Sequence, residues 1–305
     1  MAFLWHEGLS VRSLQISKAW YAFGCLLAER RLFASQQKPY SLDDIAELIN
    51  SDTCQRVLFM AGAGISTPSG IQDFRTPGTG LYYNLQKYNL PYPEAIFDIG
   101  FFHINPKPFF EYAKELMPGR HKPNPAHFLP VLFDRKGKLL RMFTQNIDGL
   151  ERLAGLSSER LVEAHGTFLS ATCLKCRKDY SLDDIKETIY KSEVPLCKKQ
   201  GCQGIIKPDI VFFGENLPEK FHQCMSDAQD AQVLIVMGTS LEVMPFASVA
   251  EVPYNTARLL LNKERVGSFG SRKKDVVMTD DIVGGVKQLV QKLGWMQDLQ
   301  ELCTR

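Results

Sequence analysis

No run of apolar residues reaches the roughly 18 to 20 positions of a membrane span, so no membrane segment is expected and the chain should be soluble. Neither sign of charge prevails: 36 Lys and Arg against 34 Asp and Glu leave +2. The polybasic footprint that grips nucleic-acid phosphates is therefore missing, and direct nucleic-acid binding is not expected. Cysteine is scarce, with eight in 305 residues. Cys25, Cys54, Cys224 and Cys303 are scattered, which suits a reducing compartment better than a disulfide framework. No internal repeat is evident. With 45% hydrophobic residues the chain can bury a substantial core, as one large domain or two lobes.

The other four cysteines, Cys173, Cys176, Cys197 and Cys202, fall into two close pairs. Each pair offers two thiolates from one tight turn, and together they supply the four ligands of a tetrahedral zinc. With sulfur at every position the metal has no open site for water or substrate. It should be structural, and the chemistry must lie elsewhere.

Val57-Leu58-Phe59-Met60-Ala61 is an apolar run of strand length that passes at once into Gly62-Ala63-Gly64-Ile65-Ser66, a pattern of buried parallel strand and phosphate-cradling loop. Leu139–Phe143 into Thr144-Gln145-Asn146, Val233–Met237 into Gly238-Thr239-Ser240, and Leu259–Leu261 into Asn262 repeat the design. Ligands of an open α/β sheet bind at the carboxyl ends of such strands. Ile282, Val283, Val286, Leu289, Val290 and Leu293 keep a helical stripe, with Asp280 or Asp281 to cap it and Gly294 to end it. Residues 87–135 are rich in proline and aromatics without a strand pattern. They are expected to form short helices and loops in a smaller lobe with the zinc module at 167–203, inserted in a Rossmann-like domain made of 41–86, 136–166 and 204–305.

Gly62-x-Gly64 alone is weak evidence for a dinucleotide. The dehydrogenase fingerprint wants glycine where Thr67 stands and an acidic residue about 20 positions on, where Leu81-Tyr82-Tyr83 runs instead. A nucleotide site is expected; ordinary hydride transfer is not. Residues 1–38 set Arg12, Lys18, Arg30, Arg31 and Lys38 against only Glu7 and Glu29, among Ser10, Ser13, Ser17 and Ser35. This reads as a mitochondrial targeting segment or as a plain N-terminal extension, the latter leaving cytoplasm or nucleus open.

Taken in order, Gly62–Ser66, Asp73-Phe74-Arg75, Thr144–Gly149, His165-Gly166, the four cysteines, Phe212-Phe213-Gly214-Glu215 and Gly238-Thr239-Ser240 closely resemble the sirtuins, the NAD-dependent protein-lysine deacylases, over roughly 41–298. Gly64–Ile71 and Gly78-Thr79-Gly80-Leu81-Tyr82 look most like the deacetylase subgroup that contains the mitochondrial and cytosolic animal members. The resemblance implies a Rossmann-like doubly wound parallel sheet with a smaller inserted zinc lobe. It also implies NAD as a consumed co-substrate and acetylated proteins, bound as extended peptides, as partners.

In that likeness the acetyl-lysine carbonyl oxygen attacks the ribose carbon that bears nicotinamide. An amide oxygen is a poor nucleophile, so positioning must supply much of the acceleration. His165 matches the general base and Asn146 its catalytic companion. Gln145, Asn146 and Asp148 match the ribose and nicotinamide pocket. Gly62, Ala63, Gly64, Ser66 and Asp73 belong to the cofactor loop, Phe74 covers the reactive carbon and Arg75 lies near the phosphates. Gly238, Thr239 and Ser240 meet adenosine and phosphate, and Asn262 the adenosine ribose. Phe213, Gly214, Glu215 and Leu241, Glu242, Val243 match the two segments that flank the substrate peptide.

Sirtuins that prefer acidic acyl groups carry a tyrosine and an arginine three apart after the Phe-Arg motif. Residues 85–97 hold no arginine, and Ile96 and Phe97 suggest an apolar lining, so acetyl-lysine, and other uncharged acyl-lysines less efficiently, are the expected substrates and succinyl- or malonyl-lysine is not, with Lys87 the one cation whose flexible ammonium could reach inward. Gln72 stands where the family usually has proline, Lys263-Glu264 follows Asn262 where Arg-Asp is commoner, and Ala250–Arg258 is slightly short. These departures bear on cofactor affinity. Protein mono-ADP-ribosylation, and an idle NAD- or zinc-binding interaction protein, remain as other readings of the same motifs.

Overall fold

The computed structural model describes residues 38–72, 85–88 and 90–304. The basic segment 1–37, Asp73, Phe74, Arg75 and Gly78–Tyr82 lie outside the described residues. The chain divides between Pro39 and Tyr40, and both sheets belong to the unit that starts at Tyr40.

Among the described residues nine strands form two sheets: β1 (Val57–Ala61), β2 (Leu139–Thr144), β3 (Leu161–Glu163), β4 (Gly166–Cys173), β5 (Asp179–Ser181), β6 (Ile206–Ile210), β7 (Val233–Met237), β8 (Ala257–Asn262) and β9 (Asp275–Thr279). The larger sheet runs β3-β2-β1-β7-β8-β9 with every pairing parallel. Counted along the chain that order is 3-2-1-4-5-6, the doubly wound arrangement, which reverses direction between β1 and β7.

β1, β7 and β8 are buried at every position, as strands covered on both faces must be. Alternate side chains serve opposite cores. Val57, Phe59, Ala61, Val233, Ile235 and Met237 pack under the helices Leu42–Asn50, Pro125–Arg135, Ile282–Leu293 and Met296–Cys303. Leu58, Met60, Leu234 and Val236 meet Phe221, Ala228, Phe246 and Val249 on the other face. The helix expected at the carboxyl end is Ile282–Leu293; Asp281 caps it through Val283 N–H and Gly284 N–H, and Gly294 ends it at φ +77°. Arg258 and Asp275, 1% and 0% exposed, pair at 2.7 Å across β8 and β9.

The smaller sheet, β5-β4-β6, is antiparallel. Its core joins the cysteines to a cluster of rings, Phe97, Phe102, Phe109, Phe110 and Phe212, in mostly edge-to-face contact, with Phe109 and Phe212 5.0 Å apart.

Two boundaries differ from the sequence expectation. Helix Pro125–Arg135 covers the large sheet, where Phe133 sits edge-on to Phe59 at 5.0 Å; its apolar stripe says that it covers something, not which sheet. β6 pairs with β4 in the small sheet, and at Gly166 the two backbones approach too closely for any other residue. A Cβ there would lie 1.9 Å from Asp209 O.

Candidate active site and metal centre

Ligands of a doubly wound sheet bind where the strand order reverses, and the glycines lie at that reversal. After β1 the chain makes a short 3-10 turn, Ala63–Ile65, whose Gly64 N–H donates to Gly238 O, just beyond β7, at 2.8 Å. A Cβ on Gly64 would stand 2.7 Å from Gly238 Cα, and one on Gly238, where φ is +59°, 2.5 Å from Ile65 N. No side chain separates the two strand ends. Backbone is bared to the cleft above, the surface a pyrophosphate requires.

That cleft measures about 1240 Å3. Of the residues nominated above, Ala63, Gly64, Gln145, Asn146, His165, Phe213, Gly214, Glu215, Gly238, Thr239, Ser240, Glu242, Val243 and Asn262 line it. Gly62, Ser66, Asp148 and Leu241 are not part of the lining. Gly62 is closed in by Thr239 Cβ, 2.8 Å from where its own Cβ would be. The space, the bare loop and the amide donors fit a dinucleotide.

β2 delivers the amides. Gln145 N–H donates to Ala61 O at 3.0 Å, fixing the β2 terminus to β1, and Gln145 Oε1 accepts from Thr239 Oγ1 at 2.7 Å. Asn146 is buried; its Nδ2 donates to Gly62 O and to Ser66 Oγ, both at 3.2 Å. Ser66 donates to Asp148 Oδ2 at 2.6 Å, and Leu150 N–H donates to Asp148 Oδ1 at 2.9 Å. Burial raises the Asp148 pKa.

Beneath them Thr144 Oγ1 donates to Glu151 Oε1 at 2.6 Å. Burial first, and the Asp148 charge second, push Glu151 up to about 8, so it is protonated at neutral pH. His165 sits between β3 and β4, its carbonyl accepting from Val211 N–H at 2.9 Å and its ring 6.2 Å from Phe246. Burial lowers its pKa, against a ring hydrogen bond to the Gln145 backbone. Neutral imidazole, the form that accepts a proton, is favoured.

Phe213 already pairs its backbone within the chain: its N–H donates to Phe97 O at 2.8 Å and its carbonyl accepts from Ile99 N–H at 3.1 Å. Phe97, expected as apolar lining, lines the cleft while packing in the small lobe's core; Ile96 is buried in that core and is not part of the lining. Asn262 turns its amide to Glu264 O at 2.9 Å.

The four cysteines converge, all sulfurs lying within 4.8 Å of one another. The Cys173–Cys202 and Cys176–Cys197 separations are both 3.6 Å. Tetrahedral zinc with bonds of about 2.3 Å spaces its sulfurs at about 3.8 Å, so the set fits that ion. Tyr180 OH, 3.1 Å from Cys197 Sγ, favours the thiolate.

Residues 62–245 match the family model described as the Sir2 family. The chain belongs to that family. A Mus musculus protein named NAD-dependent protein deacetylase sirtuin-3 is 54% identical over 274 residues, 89% of this chain and 81% of its own length. NAD-dependent protein deacetylase sirtuin-2 of Danio rerio is 47% identical, over 87% of this chain and 75% of the relative. NAD-dependent protein deacetylase hst2 of Schizosaccharomyces pombe is 44% identical, over 86% and 79%.

Sequence reasoning gave no part in the site to several side chains on which this Sir2 site rests: His127, Asn124, Glu151 and Lys207. Only Asn124, an N-cap type followed by proline at the first helical position, carried a local signal.

Proposed function

We propose that the chain is an NAD-dependent protein-lysine deacetylase that releases nicotinamide, free lysine and O-acetyl-ADP-ribose. The observation that carries this reading is one cleft with the bare Gly64–Gly238 junction, the Gln145 and Asn146 amides and the His165 imidazole on its walls. NAD, when bound, supplies an electrophilic ribose carbon. The chain's residues then have separate tasks: Gly62, Ala63, Gly64, Ser66, Asp73, Arg75, Gly238, Thr239, Ser240 and Asn262 hold the dinucleotide. Gln145, Asn146 and Asp148 orient its nicotinamide ribose, and Phe74 keeps water away. His165 takes a proton at its ring nitrogen from a ribose hydroxyl.

Acetylated proteins are the substrates, bound as extended peptides between 213–215 and 241–243, with Phe97 lining an uncharged acyl site. A succinyl carboxylate would meet no arginine among residues 85–97, and an unpaired buried charge costs several kcal/mol. The zinc on Cys173, Cys176, Cys197 and Cys202 is structural, and the larger sheet with its helices is the NAD-binding domain. The first 38 residues, basic and serine-bearing, support a mitochondrial destination, which a fused reporter would reveal and a diffuse reporter would refute.

Nicotinamide release from NAD, followed with acetylated, succinylated and unmodified forms of one peptide, tests the activity. Release only with the acetyl form supports it; release independent of the acetyl group favours ADP-ribosyl transfer, and none at all an idle binder.

A further inference from the structure

Helix Pro125–Arg135 starts against the glycine loop. Asn124 caps it by accepting from Ala126 N–H at 2.9 Å, and the Asn124 amide nitrogen donates to Ile65 O at 2.7 Å and Ser69 Oγ at 2.9 Å. His127, in the helix's first turn, is 0% exposed. Its Nδ1 lies 3.2 Å from the Asn124 N–H. A backbone N–H only donates, so Nδ1 is bare and the ring's proton is on Nε2. Nε2 is 3.2 Å from Ser66 Oγ and donates to it.

Asn146 Nδ2 donates to the same oxygen, also at 3.2 Å. A serine hydroxyl has two acceptor positions and one proton. With both positions filled, the proton has one destination, Asp148 Oδ2 at 2.6 Å. The second Asn146 amide proton goes to Gly62 O, which leaves Oδ1 as the acceptor this amide presents from the cleft wall. Burial also drives the His127 pKa down to about 3, so the neutral ring persists across the working pH range.

We propose that His127 is a positioning residue for the reaction: its Nε2–H fixes the Ser66 hydroxyl, and through it holds Asp148 and Asn146 in one arrangement toward the nicotinamide ribose. This rests on the reading above that Asn146 and Asp148 orient that ribose. Without the Nε2 donor the hydroxyl can turn, and the two side chains it ties together lose their common reference. A misplacement of that kind costs up to about 100-fold in rate. Capping of the helix by Asn124 and His127 is the purely structural alternative, and it predicts a loss of stability alone.

Long-range 1H–15N histidine spectra of the full zinc-loaded chain provide the direct test, with the His127 signals assigned by their absence in His127→Gln. Protonated Nε2 with bare Nδ1 at neutral pH is expected. An imidazolium, or a proton on Nδ1, overturns the proposal whatever the variants do.

The variants add a second test. His127→Gln, whose amide can replace the Nε2–H, should keep kcat/KM for NAD within about threefold, as rescue by a like donor requires. His127→Phe should raise the calorimetric Kd and the KM for NAD by about tenfold or more per folded molecule, leaving KM for the acetyl-peptide unchanged. Losses that track only the folded fraction, or that fall equally on both substrates, overturn it. Asn146→Ala separates the two layers: if it leaves NAD binding and turnover intact, the underlying reading fails. Loss in Asn146→Ala with none in His127→Phe overturns the role of His127 alone.

Discussion

Lys207 and Glu215 form an ion pair at 2.8 Å that ties the zinc-bearing sheet to the segment expected to hold peptide. The same carboxylate oxygen of Glu215 accepts from Phe212 N–H at 2.8 Å, while Lys207 also donates to Ile210 O at 2.6 Å and lies 4.3 Å from the Phe212 ring centre. Glu215 therefore pegs its own turn from within. Its partner is the more deeply buried, with side-chain exposures of 6% for Lys207 and 28% for Glu215. Removing Glu215 strands the buried ammonium, whereas removing Lys207 leaves a carboxylate that water can reach. Glu215→Gln should cost about 3 kcal/mol in urea unfolding and Lys207→Met less than half of that, both raising KM for peptide more than for NAD. Equal costs would contradict the asymmetry.

Cys176 lies on the turn after β4 and Cys197 precedes β6, so the metal clips the β4–β5 turn to the segment that leads into β6, at one end of the small sheet. Structural zinc contributes roughly 10 to 16 kcal/mol in isolated peptides, far more than a small three-stranded sheet holds by packing. Cys176→Ala, or exhaustive chelation, should unfold this lobe and abolish activity with it. Unchanged thermal stability together with lost turnover would show that the metal acts in the chemistry.

Glu151 and His127 make stability depend on pH in opposite senses. The Glu151 pKa rises from 4.5 to about 8 on folding, so the folded chain holds the extra proton, and this stabilisation, complete below 4.5, disappears as pH climbs through 8. His127 falls from 6.5 to about 3; its contribution is present above 6.5 and is lost as pH drops through 3. Between 6.5 and 8 the His127 contribution is level and the Glu151 contribution declines. Glu151→Gln should flatten the decline of Tm over that window, recovering on the order of a few kcal/mol at the alkaline end. An unchanged slope would mean that Glu151 is ionised at neutral pH.

His165→Ala should lose roughly 10²- to 10⁴-fold in kcat, the usual worth of a general base, with calorimetric NAD affinity largely kept. Burial lowers the His165 pKa, so the acid limb of the kcat/KM profile should fall below the 6.5 of an ordinary imidazole. NAD affinity lost in step with rate would give His165 a binding role.

The strands β1 and β7 stand where their apolar runs put them, because a strand covered on both faces has no choice but to be continuously apolar, and each runs into the glycines that meet below the cleft; β2 keeps the pattern except at Arg141 and runs into the Gln145 and Asn146 amides. The cysteine pairs were equally legible, since ligand spacing is a local property. The hidden part was relational. Whether helix Pro125–Arg135 covers one sheet or the other depends on Phe59 and Phe133 meeting, which no window of sequence contains. His127 reads as one histidine among six until Ser66, 61 positions away, is seen at its Nε2. Glu215 was legible as part of a motif; that Lys207, on β6, pairs with it was not.

In the proposed function one cleft joins NAD to an acetylated lysine. Mass spectrometry of the products from NAD and an acetylated peptide, incubated with the full chain, tests it most directly. Nicotinamide, deacetylated peptide and O-acetyl-ADP-ribose in equal amounts are the predicted result, and all three should vanish in His165→Ala. Free acetate with intact NAD, or ADP-ribose retained on protein while the peptide stays acetylated, would contradict it.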